Sequence, residues 1–317
     1  MRELALLEQQ IIAALQVDPR ASWRKIAAVL REPERTVARR GSELLESGVV
    51  GVRGIRLRPT PVLVEIRCAP GTSRVAVQAL AQRADTSFVY TVTGSGDCLA
   101  EILTDRQRLH TVLSDELPGI AGLTHVNTYP VLRYFKTLRA WQPGPLSAEQ
   151  RAALRPVPLA DPTILDEYPQ LGRTDEQIAD ALCEDGRMSF EAIARRVGVS
   201  EATARRRTEW LLETSYLNLR ALVEPAALGL PVEALLWIKT APAQLEGLGR
   251  RLAEQPQTRY VAAITGDYQI LADVTVANNT ALYDFTTSSA WTGDATQVTI
   301  SLLLDARKRG GRLKPVP

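Results

Sequence analysis

A chain of 317 residues, 45% of them hydrophobic, is too long for one ordinary domain and holds enough apolar material for two or more cores. A net charge of +2 excludes a uniformly basic coat, so any nucleic-acid surface has to come from local clustering of arginine and lysine. Mean hydropathy is near zero and no apolar run approaches about eighteen residues, which argues against a membrane-spanning helix.

The opening MRELALLEQQIIAALQ reads as an amphipathic helix. It lacks the apolar core and cleavage site of a signal peptide, so a cytoplasmic protein is expected. A short helix, SWRKIAAVL, follows, and then LREPERTVARRGSELLE. In the last of these Val37 and Leu44 form the core line, Arg35 and Arg39 point outward, and Thr36 and Arg40 lie on the flanks. Arg20, Arg24, Lys25, Arg31, Arg35, Arg39 and Arg40 stand here against Glu32 and Glu34 alone. Next comes a βαββαβ order. PVLVEIRC reads as a strand, SRVAVQALAQRA as a helix, SFVYTVTG and CLAEILT as strands, DRQRLHTVLSDEL as a helix and LTHVNTYPVL as a closing strand. Residues 138–172, rich in proline and without sustained periodicity, read as a linker in which SAEQRAAL forms one helical turn or two.

The chain then repeats itself. A constant offset of 167 pairs Gln10 with Gln177, Asp18 with Asp185, Ser22 with Ser189, Ile26 with Ile193, Thr36 with Thr203 and Arg39 with Arg206. With the offset moved to 172, FVYTVTG at Gly94 falls on YVAAITG at Gly266. In the second copy SFEAIARRV, with Ser189 as N-cap, leads through GVS into EATARRRTEWLLE. Gly198 suits a tight turn and Ser200 caps the second helix, the pattern of a helix-turn-helix whose second helix enters the major groove. Placing Ala204 and Leu211 on the core line, at about 100° per residue, turns Arg206 outward with Ala202. Thr203 and Arg205 take the flanks, and Arg207 leans back toward the body. The expected DNA surface is Ser200, Glu201, Ala202, Thr203, Arg205, Arg206 and Arg207, with Arg35, Thr36, Arg39 and Arg40 in the first copy. A solvated charged face is the alternative for the same arginines. In the first copy Arg31 and Pro33 replace the turn glycine and the capping serine, which marks that turn as altered.

A second βαββαβ order follows, from VEALLWIKT to ATQVTISLLL, and the basic, glycine-rich tail at 309–317 is expected to be disordered. The fold class expected is α+β, a duplicated pair of winged or plain helix-turn-helix domains (1–54 and 173–223) and ferredoxin-like domains (55–137 and 224–308). Each ferredoxin-like sheet has one open face, so the two are expected to pair within the chain as a pseudo-dimer, and such pseudo-dimers to associate further. Cys68, Cys98 and Cys183 are odd in number and form no CxxC clamp. With His110 and His125 the only histidines, neither a disulfide framework nor a metal centre is expected. No nucleophile–base pair or phosphate loop is recognisable, so no catalytic residue and no cofactor are assigned.

The reader helix SEATARRRTEWLLE, VTGSGDCLAEI, ITGDYQILADV, LPGIAGLTHVNTYPVLRYFK and EPAALGLPVEALLWIK, in this order, resemble the Lrp/AsnC family. The resemblance implies a transcriptional regulator working on the nucleoid, with double-stranded DNA and a small-molecule effector, often an amino acid, as partners. It places the effector near Gly94, Ser95 and Asp97, with Leu117, Pro118 and Gly119 close by. The second-copy counterparts are Gly266, Asp267 and Gln269, then Ser289, Ala290 and Trp291. The second copy departs from the pattern in having no LPG turn and in carrying Gln269 at the place of Asp97. For Asp97 the alternative is a loop carboxylate that caps backbone N–H groups. Two other functions stay open: a scaffold of the same fold that does not bind DNA, and an enzyme similar to the siroheme decarboxylases. The latter carry a histidine-rich aromatic stretch where this chain has SFVYTVTGSGD.

Overall fold

The computed structural model describes residues 4–57, 60–155, 171–288 and 291–314. In chain order these form α1 (Leu6–Val17), α2 (Trp23–Leu30), α3 (Glu34–Glu46), β1 (Val50–Arg56), β2 (Thr60–Cys68), α4 (Ser73–Gln82), β3 (Thr86–Val92), β4 (Cys98–Thr104), α5 (Arg106–Thr111), β5 (Leu123–Lys136) and α6 (Ala148–Leu154). The second copy supplies α7 (Arg173–Glu184), α8 (Phe190–Val197), α9 (Glu201–Glu213), β6 (Leu217–Val223), β7 (Val232–Lys239), α10 (Leu245–Glu254), β8 (Thr258–Ile264), β9 (Ile270–Val276), α11 (Asn279–Ser288), β10 (Gln297–Arg309) and β11 (Arg312–Leu313). They fall into two units, one holding 4–57, 139–155 and 171–231, the other 60–138, 232–288 and 291–314.

The first unit holds both helix-turn-helix copies. Ser22, Ser189 and Ser200 start their helices by accepting from the backbone N–H three residues on, at 3.2, 3.1 and 3.2 Å. Pro33 makes no such cap before α3. The turn before α3 nonetheless keeps its backbone, with Arg31 at φ 57° where Gly198 has 79°. Left-handed backbone costs a side-chain-bearing residue about 1–2 kcal/mol, whereas glycine adopts it freely. A Cβ on Gly198 would meet nothing within 4 Å, so conformation alone is at stake there. Gly198→Ala is expected to lower stability by about 1 kcal/mol, and Arg31→Gly to raise it by somewhat less. Thermal unfolding of both variants checks the pair; a stabilised Gly198→Ala would contradict the account.

The strand after each helix-turn-helix decides between the winged and the plain form in favour of the plain one. β1 and β6 pair with each other, antiparallel, from Val50 opposite Val223 to Arg56 opposite Leu217. α1 packs on β6 and α7 on β1, so each helical set closes on the other copy's strand. The reason is burial: Val50, Val52, Ala221 and Val223 enter the core around α1, which an exposed wing would leave in water. Part of the expected linker also belongs to this core. Trp141, Leu146 and Leu154 are buried in it, and α6 is started by a full capping box of Ser147 and Gln150. Residues 156–170 lie outside the described residues.

In the second unit each copy shows the expected βαββαβ order, and the two copies pair. They also share their strands. β5 runs beside β2 as far as Pro130 and continues beside β8 from Val131 to Lys136. β10 runs beside β7 as far as Leu302 and continues beside β3 from Leu303 to Lys308. The sheet closes into a barrel through β10, which pairs with both β3 and β7. Strand alternation produces three cores. Val62, Val64 and Ile66 of β2 face Ala76 and Leu80 of α4, and Val261, Ile270 and Ala272 face Leu248 and Leu252 of α10. Leu63, Phe88, Tyr90, Leu99, Leu235, Trp237, Tyr260 and Leu271 fill the interior. The expected disordered tail is corrected for residues 309–314. Gly310 and Gly311, at φ 55° and 79°, make a two-residue turn that pairs β11 with the end of β10. Residues 315–317 lie outside the described residues.

Candidate nucleic-acid interface and effector site

Helical phase decides which side chains α9 offers to solvent. Ala204, Thr208 and Leu211 are fully buried, and Glu201, Ala202, Arg205, Arg206 and Glu209 are exposed. Arg206 makes no hydrogen bond or ion pair with any described residue. Arg205 lies over the Phe190 ring at 4.6 Å and 3.8 Å from Glu201. Ser200 Oγ is taken up by the Thr203 backbone and lies 2.9 Å from Thr203 Oγ1. Arg207 differs from the others: its guanidinium grips both oxygens of the buried Asp175 on α7, which raises its pKa further through the hydrogen bonds to that carboxylate. The lean toward the body seen in the sequence becomes an anchor between α9 and α7.

On α3 the exposed set is Glu34, Arg35, Arg39, Glu43 and Glu46, with Thr36 and Arg40 half-buried. Arg39 pairs with Glu43 at 2.7 Å. Arg40 reaches the buried Glu8 of α1 at 3.4 Å, the same kind of tie between reader and body that Arg207 makes.

The two copies are joined by a reciprocal pair of arginines. Arg20 donates to the carbonyls of Gly186 (2.7 Å) and Met188 (3.0 Å) and lies 4.7 Å over Phe190. Arg187, its repeat equivalent, donates to the carbonyls of Pro19 (2.8 Å) and Ala21 (3.0 Å) and lies 4.6 Å over Trp23. Burial lowers the pKa of both; for Arg20, Asp185 and Asp18 pull the other way. The sequence held both arginines at the repeat offset, but nothing in a repeat says that its copies touch.

In the sensor unit, Gly94 and Gly266 take φ 106° and 100° and lie exposed with Ser95 and Asp267. Asp97 Oδ2 accepts from the Cys68 N–H at 2.8 Å, and Gln269 Oε1 accepts from the Thr240 N–H, its repeat equivalent, at 3.2 Å. Both side chains cap the neighbouring strand end, so the replacement at 269 preserves the loop. Leu117 is a core residue, while Pro118 and Gly119 are exposed. Among the described residues no hydrogen bond joins Leu117–Gly119 to the Gly94–Asp97 loop. Trp291 is fully buried in the helix-side core, 5.6 Å from the Phe285 ring. Ser289 and Ala290 lie outside the described residues.

Three buried polar groups of the barrel interior went unread in the sequence. Glu65 accepts from Ser95 Oγ (2.9 Å), Asn127 (3.0 Å) and Tyr129 (3.1 Å), beside the exposed loop. Burial and Glu65 push the Tyr129 phenol up. Glu101 accepts from Ser87, Tyr134 (2.9 Å) and Tyr260 (2.8 Å). Arg259 pairs with Glu233 and lies 3.6 Å from Asp273, and Arg309 holds Glu233 at 2.8 Å. The signal was present: a carboxylate at an alternating position inside each apolar strand, in PVLVEIRC, CLAEILT and QILADVTV. The cavity bordered by Phe88, Tyr90, Tyr260 and Asp273 measures about 10 Å³, room for one water.

Comparison with known proteins assigns this arrangement. The Lrp/AsnC ligand binding domain matches twice, at residues 61–141 and 233–313, and the AsnC-type helix-turn-helix domain matches at 171–212. An uncharacterised HTH-type transcriptional regulator of Pyrococcus abyssi is 31% identical over 143 residues, 45% of this chain and 90% of its own. The HTH-type transcriptional regulator LrpA1 of Halobacterium salinarum is 32% identical over 112 residues, 35% of this chain and 79% of its own. A likeness of fold alone extends to the crystal structure of the siroheme decarboxylase NirDL, at TM-score 0.62 and 14% identity over 97% of this chain and 94% of that one. With its ligand-binding domain present twice and its reader helices each set on such a domain's N-terminal side, the chain belongs to the Lrp/AsnC family of helix-turn-helix transcriptional regulators.

Proposed function

We propose that the chain is a sequence-specific regulator that reads double-stranded DNA through α9 and α3 and responds to a small polar effector, an amino acid or a related metabolite. The observation that carries this reading is Arg206, an exposed cation with no partner among the described residues, set behind the small first turn of Glu201, Ala202 and Thr203. Thr203 and Arg206 read base edges, and Arg205, Arg35, Thr36 and Arg39 meet phosphates. Ser200, Arg207 and Arg40 hold the two helices in place. The protein acts in the cytoplasm on the nucleoid and is not an enzyme. Ile300, Leu302 and Leu304 on β10, and Leu132 on β5, are exposed aliphatic side chains that support further association of chains. Footprinting of the chain over the region upstream of its own gene tests the DNA reading. A protected stretch that changes with an added amino acid is expected. A chain that protects nothing would favour the scaffold reading, and loss of a carboxyl group from an added iron tetrapyrrole would favour the enzyme.

For the effector, the first copy is the better site, because Asp97 has a carboxylate that an ammonium group can meet and Gln269 has none. Asp97→Asn retains an oxygen for the Cys68 N–H and removes the charge. It is expected to weaken binding of an amino acid at least about tenfold while leaving effector-free DNA binding unchanged, and Gln269→Ala is expected to leave the affinity as it is. Calorimetry on both variants decides, and an undiminished Asp97→Asn response would move the site elsewhere.

A further inference from the structure

We propose that the chain is a polar DNA-binding element: its two reader helices form one body with unequal faces, so it occupies each operator in a single orientation. The inference rests on the reading that α3 and α9 both face DNA.

Two sets of observations carry it. The first is that buried contacts, not a tether, set the position of α3 relative to α9. The β1–β6 ribbon pairs Arg53 with Arg220, its repeat equivalent, at its centre. α1 and α7 close on each other's strands, and Arg20 and Arg187 each donate to two backbone carbonyls of the opposite copy. Asp175 and Glu8 then tie each reader to its own first helix through Arg207 and Arg40. A body joined in this way presents its readers together, at one spacing.

The second is that the two outward faces share Glu34 with Glu201, Thr36 with Thr203 and Arg39 with Arg206 but differ at the positions around them. The repeat offset sets Arg31 against Gly198, Arg35 against Ala202, Ala38 against Arg205 and Ser42 against Glu209. The α3 side exposes three arginines, Arg31, Arg35 and Arg39, among Glu32, Glu34 and Glu43, and the α9 side two, Arg205 and Arg206, among Glu201 and Glu209. Long flexible cations in this number suit phosphates, which carry no sequence information. The α9 face has an alanine in its first turn, which lets the helix approach base edges, and beyond the first-turn glutamate that both helices carry (Glu34, Glu201) it adds Glu209, which repels phosphates and accepts from bases. A symmetric pair of readers would bind a site equally well in both directions. Here inversion carries α9 onto the half-site suited to α3, and one lost base contact already biases the equilibrium by about tenfold or more. The binding site is therefore a non-palindromic duplex, one half read in its bases and the other held by its backbone.

Site-directed cleavage tests this. The full chain carries Cys68→Ser and Cys183→Ser, and an iron chelate is tethered to Ser42→Cys in one protein and Glu209→Cys in another. The DNA is the fragment footprinted by the parent chain. Each derivative is expected to cut on one side of the protected centre only, the two on opposite sides, and inversion of the protected sequence should exchange them. Equal cutting on both sides by each derivative would overturn the proposal. A parent chain that protects no DNA fails the underlying DNA reading and takes the proposal with it. Should a tethered chain lose binding, footprints of Arg206→Ala and Arg39→Ala decide instead: protection weakened on one half by the first and on the other half by the second is expected, and the same loss from both overturns it.

Discussion

Arg259→Leu is expected to destabilise the barrel by about 3–5 kcal/mol, a lowering of the melting temperature by roughly 10 °C. Arg259 is 2% exposed and stands between two carboxylates, Glu233 and Asp273. Its removal leaves Arg309 as the cation still paired with Glu233, and Asp273 as a buried charge with its nearest cation gone. Asp273 already shows the tension. Burial pushes its pKa up to about 6, against the pull of Arg259, with Glu233 raising it further and Arg309 lowering it. A carboxylate that holds its proton more tightly folded than unfolded favours the native state at low pH. That contribution is complete below the unfolded pKa near 4 and is lost as pH rises through about 6. Asp273→Asn should therefore match the parent near pH 4 and be the more stable protein at pH 8. Calorimetry of the parent and both variants across this range checks sign and size. An Arg259→Leu protein that melts within about 2 °C of the parent would show the network to be dispensable.

Arg206→Ala is expected to flatten base preference at one position of the operator by about 1–3 kcal/mol, a factor of about 5 to 150. Arg39→Ala should instead weaken binding to all sequences alike, because Arg39 is already shared with Glu43 and belongs to the backbone-holding face. Titration of labelled duplexes carrying single base changes, at one fixed salt concentration, separates a specific loss from a uniform one. Equal flattening by the two variants would show that both helices read bases.

The outward angle of Arg206, the caps at Ser189 and Ser200 and both βαββαβ orders were legible because they depend on local period and on one repeat. Helical phase needs only a core line, and a capping serine acts within three residues of itself. Other features depend on partners far along the chain. Alternation in LTHVNTYPVL and ATQVTISLLL marks strands, but it does not say which edge they join or that they run on beside the other copy. The β1–β6 ribbon has the same character, since a short apolar strand is as consistent with a wing as with a shared pair. Arg31 was misjudged for another reason: its residue type disfavours the left-handed turn, and packing of α2 and α3 imposes that turn regardless. Arg207 and Arg40 pair with buried carboxylates that lie on helices preceding them by more than thirty residues, a partnership that local period does not reveal.

The exchange of β5 and β10 between the sheets governs how the chain can fold. Val131 pairs with Ile264 and Leu303 with Val92, so the barrel closes only when segments from opposite ends of the sequence meet. Such distant pairings make for slow closure, since the entropy of a long loop is lost before any contact rewards it. During synthesis the first copy emerges with Leu63, Phe88, Tyr90 and Leu99 on an uncovered sheet face and two strand edges unpaired, in wait for residues not yet made. A chain cut between the copies keeps that face bare, and it will aggregate or clasp a second fragment of its own kind. One polypeptide that holds both copies supplies each with its partner at fixed stoichiometry, and the interior face of the first is covered only once the second has folded onto it.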